Sequence, residues 1–144
     1  MPPVKAAALE AGIAVHQFER IKNEEGVRAL KDFAPELMVT AAFGQILSRE
    51  NLEIPKYGCI NVHGSLLPKY RGASPVQSAI INGEKVTGVT TMLTDIGMDT
   101  GDMLLQHETK IGENETYGEL YSRLAVIGAE TCLLYTSDAA DELD

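Results

Sequence analysis

Residues 58–75 read GCINVHGSLLPKYRGASP. Cys59, Ile60 and Val62 form an apolar run of strand length. It breaks at His63 into a stretch with two Gly, two Pro and a basic pair. A short apolar run bounded by turn residues fits a strand buried on both faces of a sheet. An irregular loop at its exit fits the carboxyl edge of an open α/β sheet, where ligands bind. Side chains alternate along a strand, so Asn61 and His63 share one side and Val62 faces away. Both polar groups then point into one crevice. A lone His at a strand end is commonly structural; an Asn-x-His pair at this exit favours chemistry.

The flanking pattern repeats strand and helix. Pro2 and Pro3 suit a helix start, residues 4–10 are good helix formers, and Gly12 suits a left-handed stop. Residues 13–15 then read as a short strand. Residues 23–33 read as a helix with Val27, Leu30 and Phe33 on one face, closed by Pro35. Residues 37–42 (LMVTAA) are a continuous apolar run expected to be covered on both faces. Ser48 caps a short helix through Leu52, and Ser74-Pro75 opens another that leaves at Asn82-Gly83. Residues 86–94 alternate in β fashion, residues 103–111 give a further strand, and Thr116 with Glu119 forms a capping box opening a helix to about Leu133. The fold expected is α/β and Rossmann-like: a mostly parallel sheet with an antiparallel last strand, since no helix separates the last two strands. Residues 135–144 (YTSDAADELD) lack a hydrophobic face and read as a disordered or non-native tail. Residues 1–134 read as one truncated domain, because such sheets usually open on a strand and this chain opens on a helix.

At 144 residues the chain suffices for one domain with a core. No apolar run approaches the roughly 20 residues that span a bilayer, and the first residues show no secretory leader, so a cytoplasmic, membrane-free protein is expected. Cys59 and Cys132 read as reduced thiols rather than a disulfide, and two Cys alone make no metal site. The net charge of −9 argues against this chain alone gripping a phosphate backbone. The turn DIGMDTGD (residues 95–102) lacks the spacing and distal Glu of a calcium loop, so no metal is expected. Asp95 and Asp102 suit turn geometry there, which leaves Asp99 for chemistry. His16 and His107 read as structural or surface residues. Lys69, Tyr70 and Arg71 make a cation–aromatic–cation patch that faces an acceptor's phosphates, a ligand's tail or only solvent.

The string NVHGSLLPKYRGASP, followed 36 positions after His63 by the Asp of GMDTGDM, resembles the folate-dependent formyltransferases. Within that family it is most similar to the branch acting on methionyl-initiator tRNA. The resemblance runs from Met1 to about Leu134. It implies a catalytic set of Asn61, His63 and Asp99. It implies a folate-binding set of Ser65, Leu66, Leu67 and Pro68, of Phe43, Gly44, Ile46 and Leu47 in the loop AAFGQIL, and of Asp95 and Ile96. The co-substrate implied is 10-formyltetrahydrofolate, with no metal. The partner implied is initiator methionyl-tRNA, bound mainly through portions missing here, by a monomer. Alternatives within the family keep the site and change the acceptor to a nucleotide sugar, glycinamide ribonucleotide or water; a silent folate-binding module is a further one. In the expected chemistry Asn61 donates to a developing oxyanion, and His63 stabilises that oxygen or protonates the leaving nitrogen. Asp99 favours the charged imidazole or holds a relaying water. Gly64 and Pro68 are expected to leave loop N–H and C=O groups open to a ligand, with Leu66 and Leu67 as apolar walls.

Overall fold

A computed structural model describes residues 1–97 and 99–143, with side chains from 135 onward outside the described set. The elements are α1 (Pro3–Glu10), α2 (Glu24–Phe33), β1 (Met38–Ala41), α3 (Arg49–Glu53), β2 (Cys59–His63), α4 (Pro75–Ile81), β3 (Val86–Leu93), β4 (Met103–Lys110) and α5 (Tyr117–Leu143). The expectation of a disordered or non-native tail concerns 135–144, whose side chains, and Asp144 entirely, lie outside the described residues. Local chemistry sets most boundaries. The Ser48 hydroxyl accepts from the Asn51 N–H at 3.1 Å while the Asn51 side chain accepts from the Ser48 N–H at 3.0 Å, a full capping box. Thr116 and Glu119 open α5 in the same way. Helix α2 stops at Ala34, in the left-handed region at φ 47°, just before Pro35.

The four strands lie in the order β1-β2-β3-β4. β1 and β2 are parallel, with Thr40 opposite Asn61; β2–β3 and β3–β4 are antiparallel, with His63 opposite Thr90 and Thr90 opposite Gln106. Three strands therefore run one way and β3 runs against them, as expected of an α/β, mostly parallel sheet whose last two strands are antiparallel. Two expectations fail. Residues 13–15 form no strand, and Ile13 is 61% exposed. Nor is residue run 37–42 covered on both faces: β1 is the sheet's outer strand, and Val39 is 49% exposed.

The core lies on the Val62 face. Val76 of α4, Val89 of β3, and Leu120 and Leu124 of α5 pack there with Val62, Ile80, Ile111 and Ile127 around them. Gly128 lets α5 settle onto the sheet, because a Cβ at that position would come within 2.9 Å of Val62 Cγ1. The turn before α5 is clipped to it: the Arg123 guanidinium donates to Glu115 at 2.7 and 2.9 Å, to Thr109 Oγ1 at 2.8 Å and to the Lys110 carbonyl at 2.7 Å. With α4 and α5 on that face, the opposite face keeps Asn61, His63, Thr90 and Gln106.

Candidate active site

His63 closes β2 and is buried, 6% exposed. Its Nε2 lies 2.8 Å from the Tyr70 carbonyl, so that nitrogen carries the proton and donates it. Nδ1 is left facing Asp99, 3.6 Å from Oδ2. That separation is longer than a direct hydrogen bond and short enough for an ion pair or a bridging water. The Asp99 side chain is only 13% exposed, so solvent screens the pair weakly. Asp99 has φ 53°, uncommon for a residue with a Cβ, and two bonds hold it there. Its Oδ2 accepts the Gly72 N–H at 2.8 Å, and its carbonyl accepts from Arg71 Nε at 3.2 Å. The loop after His63 and the loop after β3 thus lock onto each other around the imidazole.

Asn61 stands two residues before His63, on the same face and half-buried. The Thr40 hydroxyl donates to Asn61 Oδ1 at 2.9 Å, which leaves the side-chain NH2 without a protein partner among the described residues. Cys59 lies on this face too, with the Thr94 and Thr40 hydroxyls against it. Burial pushes its thiol up from its ordinary value, and those hydroxyls pull the other way. A protonated, 2%-exposed thiol is no nucleophile.

The loop Ser65–Pro68 is built differently from the expectation. Ser65 is fully buried and its hydroxyl donates to the Lys69 carbonyl at 2.6 Å. The Thr90 hydroxyl donates to the Ser65 carbonyl at 2.7 Å and accepts the Leu67 N–H at 3.1 Å, and Gln106 Nε2 donates to the Leu67 carbonyl at 2.8 Å. Those backbone groups are therefore consumed inside the protein instead of standing open to a ligand. Leu67 is buried, Leu66 lies over Gly88, and Pro68 is exposed after a cis peptide bond. Tyr70, at φ 56°, has its phenol on Glu84 Oε1 at 2.8 Å, and that bond raises the phenol above its usual value. A cleft of about 360 Å³ behind the loop is lined by Leu66, Pro68, Tyr70, Glu84 and Val86 among others. None of Asn61, His63 or Asp99 lines it.

Phe43, Gly44, Ile46 and Leu47 follow the carboxyl end of β1, next to that of β2. Gln45 pins their loop, accepting the Ile21 N–H at 2.7 Å and donating to the Phe18 carbonyl at 3.1 Å. Phe43 is 45%, Ile46 75% and Ile96 60% exposed. Asp95 Oδ1 instead accepts the Gly97 N–H and the Thr100 hydroxyl, both at 2.8 Å, and caps its own turn. Among the described residues no group of three or more His, Cys, Asp or Glu is placed to hold a metal ion, and no helix is long and apolar enough to cross a membrane. Thr40, Thr90, Gln106 and the Tyr70 carbonyl escaped sequence reasoning, because cross-strand register and loop paths leave no local signal.

The sequence pattern of the formyl transferase family matches residues 2–135. Methionyl-tRNA formyltransferase of Acetivibrio thermocellus is 59% identical over 130 residues, which are 90% of this chain and 42% of that protein. The enzyme of the same name from Ruminiclostridium cellulolyticum is 57% identical over 129 residues, 90% of this chain and 41% of its own length. The chain thus spans less than half the length of these curated relatives. Among solved structures, phosphoribosylglycinamide formyltransferase from Bacillus halodurans superposes with a TM-score of 0.78 at 27% identity, covering 89% of this chain and 71% of that one. A sugar N-formyltransferase from a Shewanella species gives 0.70 at 30% identity, covering 87% and 48%. The match across nearly the whole length, on a sheet that brings Asn61, His63 and Asp99 to one place, makes this chain a member of the formyl transferase family.

Proposed function

We propose that this chain is part of a cytoplasmic, monomeric enzyme that moves a formyl group from 10-formyltetrahydrofolate to the amino group of methionyl-initiator tRNA. Residues 1–134 form part of its catalytic domain. The observation that carries the reading is the approach of His63 Nδ1 to Asp99 Oδ2 at 3.6 Å, beside an Asn61 amide with its NH2 unspent. The acceptor is argued from the 51–59% identity to relatives named for methionyl-tRNA. The folate supplies the one-carbon unit already at the acyl level, so no covalent enzyme intermediate is required, in keeping with a buried Cys59.

Each residue then has a task. Asn61 donates its N–H to the oxygen that gains charge as the amine adds to the formyl carbon; one such donor is typically worth about 10²- to 10³-fold in rate. His63 passes a proton through Nδ1 to N10 of the folate as the C–N10 bond breaks and tetrahydrofolate leaves, because Nε2 is committed to Tyr70. Asp99 also stands within reach of a water that takes the amine proton. Phe43, Ile46 and Ile96 supply apolar surface for the folate ring, and Leu66 with Pro68 the loop wall. Ser65 and Leu67 contribute by shaping that loop, and Asp95 by capping its own turn.

A full-length chimera, with this chain replacing the matching 130 residues of the A. thermocellus relative, tests the reading. Formylation of charged initiator tRNA is expected at near-parental rates, falling about 10²- to 10⁴-fold in His63→Ala and Asp99→Asn. A folded chimera that formylates glycinamide ribonucleotide or a sugar amine instead would overturn the acceptor. Near-parental rates in both variants would overturn the site.

A further inference from the structure

Resting on the reading above, we propose that Thr40 is a positioning residue: its hydroxyl, reaching across from β1, sets which end of the Asn61 carboxamide faces the reacting oxygen. An asparagine amide has a donor end and an acceptor end of nearly the same shape, and packing alone distinguishes them poorly. Only the NH2 end helps an oxyanion; the C=O end repels it. Parallel pairing places Thr40 directly opposite Asn61. The Thr40 O–H donates to Oδ1 at 2.9 Å, in a half-buried setting where a hydrogen bond keeps its directing strength. It is the single bond to the Asn61 side chain among the described residues; a hydroxyl can also accept, and the Cys59 thiol against the same Thr40 oxygen can supply it an S–H, which leaves the O–H for Asn61 Oδ1. Thr also suits the site as a residue, since its branched Cβ fits a strand while its hydroxyl reaches along the sheet face.

This gives the outer strand β1 a part in the chemistry that its exposure does not suggest. Val39 and Ala41 point to solvent, while Thr40 between them points toward Asn61. Thr40→Val keeps the branched shape and removes the hydroxyl, donor and acceptor together; Thr40→Ser keeps the hydroxyl and removes a methyl group.

The test is a double-mutant cycle in the full-length chimera, reading kcat and KM for both substrates. Thr40→Val is expected to lower kcat by up to about 2-fold, because one net hydrogen bond keeps most of the amides in the donor-outward orientation and its loss leaves the two orientations equal, with both KM values unchanged. Thr40→Ser is expected to stay near the parent. In an Asn61→Ala background, Thr40→Val is expected to cost nothing more, because Thr40 acts only through Asn61. Thr40→Ala serves as a second deletion should the valine variant unfold. Parental kcat in Thr40→Val alongside a large loss in Asn61→Ala overturns the inference and leaves the proposed function standing. A loss that persists undiminished in the Asn61→Ala background overturns it too, since the effect then bypasses Asn61. Parental kcat in Asn61→Ala itself removes Asn61 from the chemistry, and the inference falls with that assignment.

Discussion

Cys59 and Glu115 show how single side chains tie stability to pH. Burial raises the Cys59 thiol above its value in the unfolded chain, so its contribution is full below about pH 9 and fades as pH rises through the folded value. Glu115 behaves oppositely. Arg123, and next the Gly112 N–H, hold its carboxyl below the ordinary range. Its contribution is full above the unfolded carboxyl value near 4.5 and disappears as pH falls through the folded one. Glu115→Gln is therefore expected to unfold at lower temperature than the parent at pH 7, with the gap closing below about pH 4; calorimetry across that range checks the sign. Alkylation provides a second check at this scale: iodoacetamide is expected to spare Cys59 at pH 8 until denaturant opens the sheet, as mass spectrometry of the cleaved protein reports. Asn61 and His63 were legible from strand alternation alone. The pairing of His63 with Asp99, distant in the chain, came only through family resemblance, because no local period connects the two.

At the scale of elements, the loop after β2 hangs on β3 and β4. Thr90 takes two of its backbone groups and Gln106 a third, while Leu66 Cδ2 would lie 2.6 Å from a Cβ at Gly88. The same Cβ would meet the His107 carbonyl at 2.2 Å, and backbone in a ladder has little room to yield. Gly88→Ala is thus expected to destabilise the protein by about 1 to 3 kcal/mol through overpacking, read as a lower urea midpoint with an unchanged slope. Helix ends were readable in advance because caps are local: Ser48, Thr116, Pro75 and Ala34-Pro35 act within a few residues. The antiparallel last pair was readable too, from the missing helix between residues 94 and 103, but not that β3 is the strand running against the others. The reversal of β3 depends on how a short turn after Asn82 happens to lead, and the failed strand at residues 13–15 depends on whether a neighbour lies alongside. An apolar triplet reports appetite for a sheet, and the sheet's edge decides whether it is met.

The whole molecule carries a net charge of −9 and matches relatives more than twice its length. Counterion release governs affinity for a phosphate backbone, and the 12 Lys and Arg are outnumbered by 21 Asp and Glu, with Arg123, Arg28, Lys31 and Lys69 facing carboxylates. The isolated 144-residue chain is expected to bind initiator tRNA more weakly than about 10⁻⁴ M at physiological salt, while the chimera retards it in the same gel. Comparable retardation by both would locate the main tRNA contacts in this chain. The architecture and the placing of Asn61 and His63 on one sheet face were thus visible in the string of residues, whereas the loop's inward-turned backbone had to be seen. One last point concerns the tie between Gly72 and Asp99, 27 residues apart in the chain. The Gly72 amide hydrogen swaps for deuterium only when the carboxylate lets go of it. Its exchange rate is therefore a stopwatch on how often the two loops part, a spectroscopic measure of gating that needs neither substrate nor turnover.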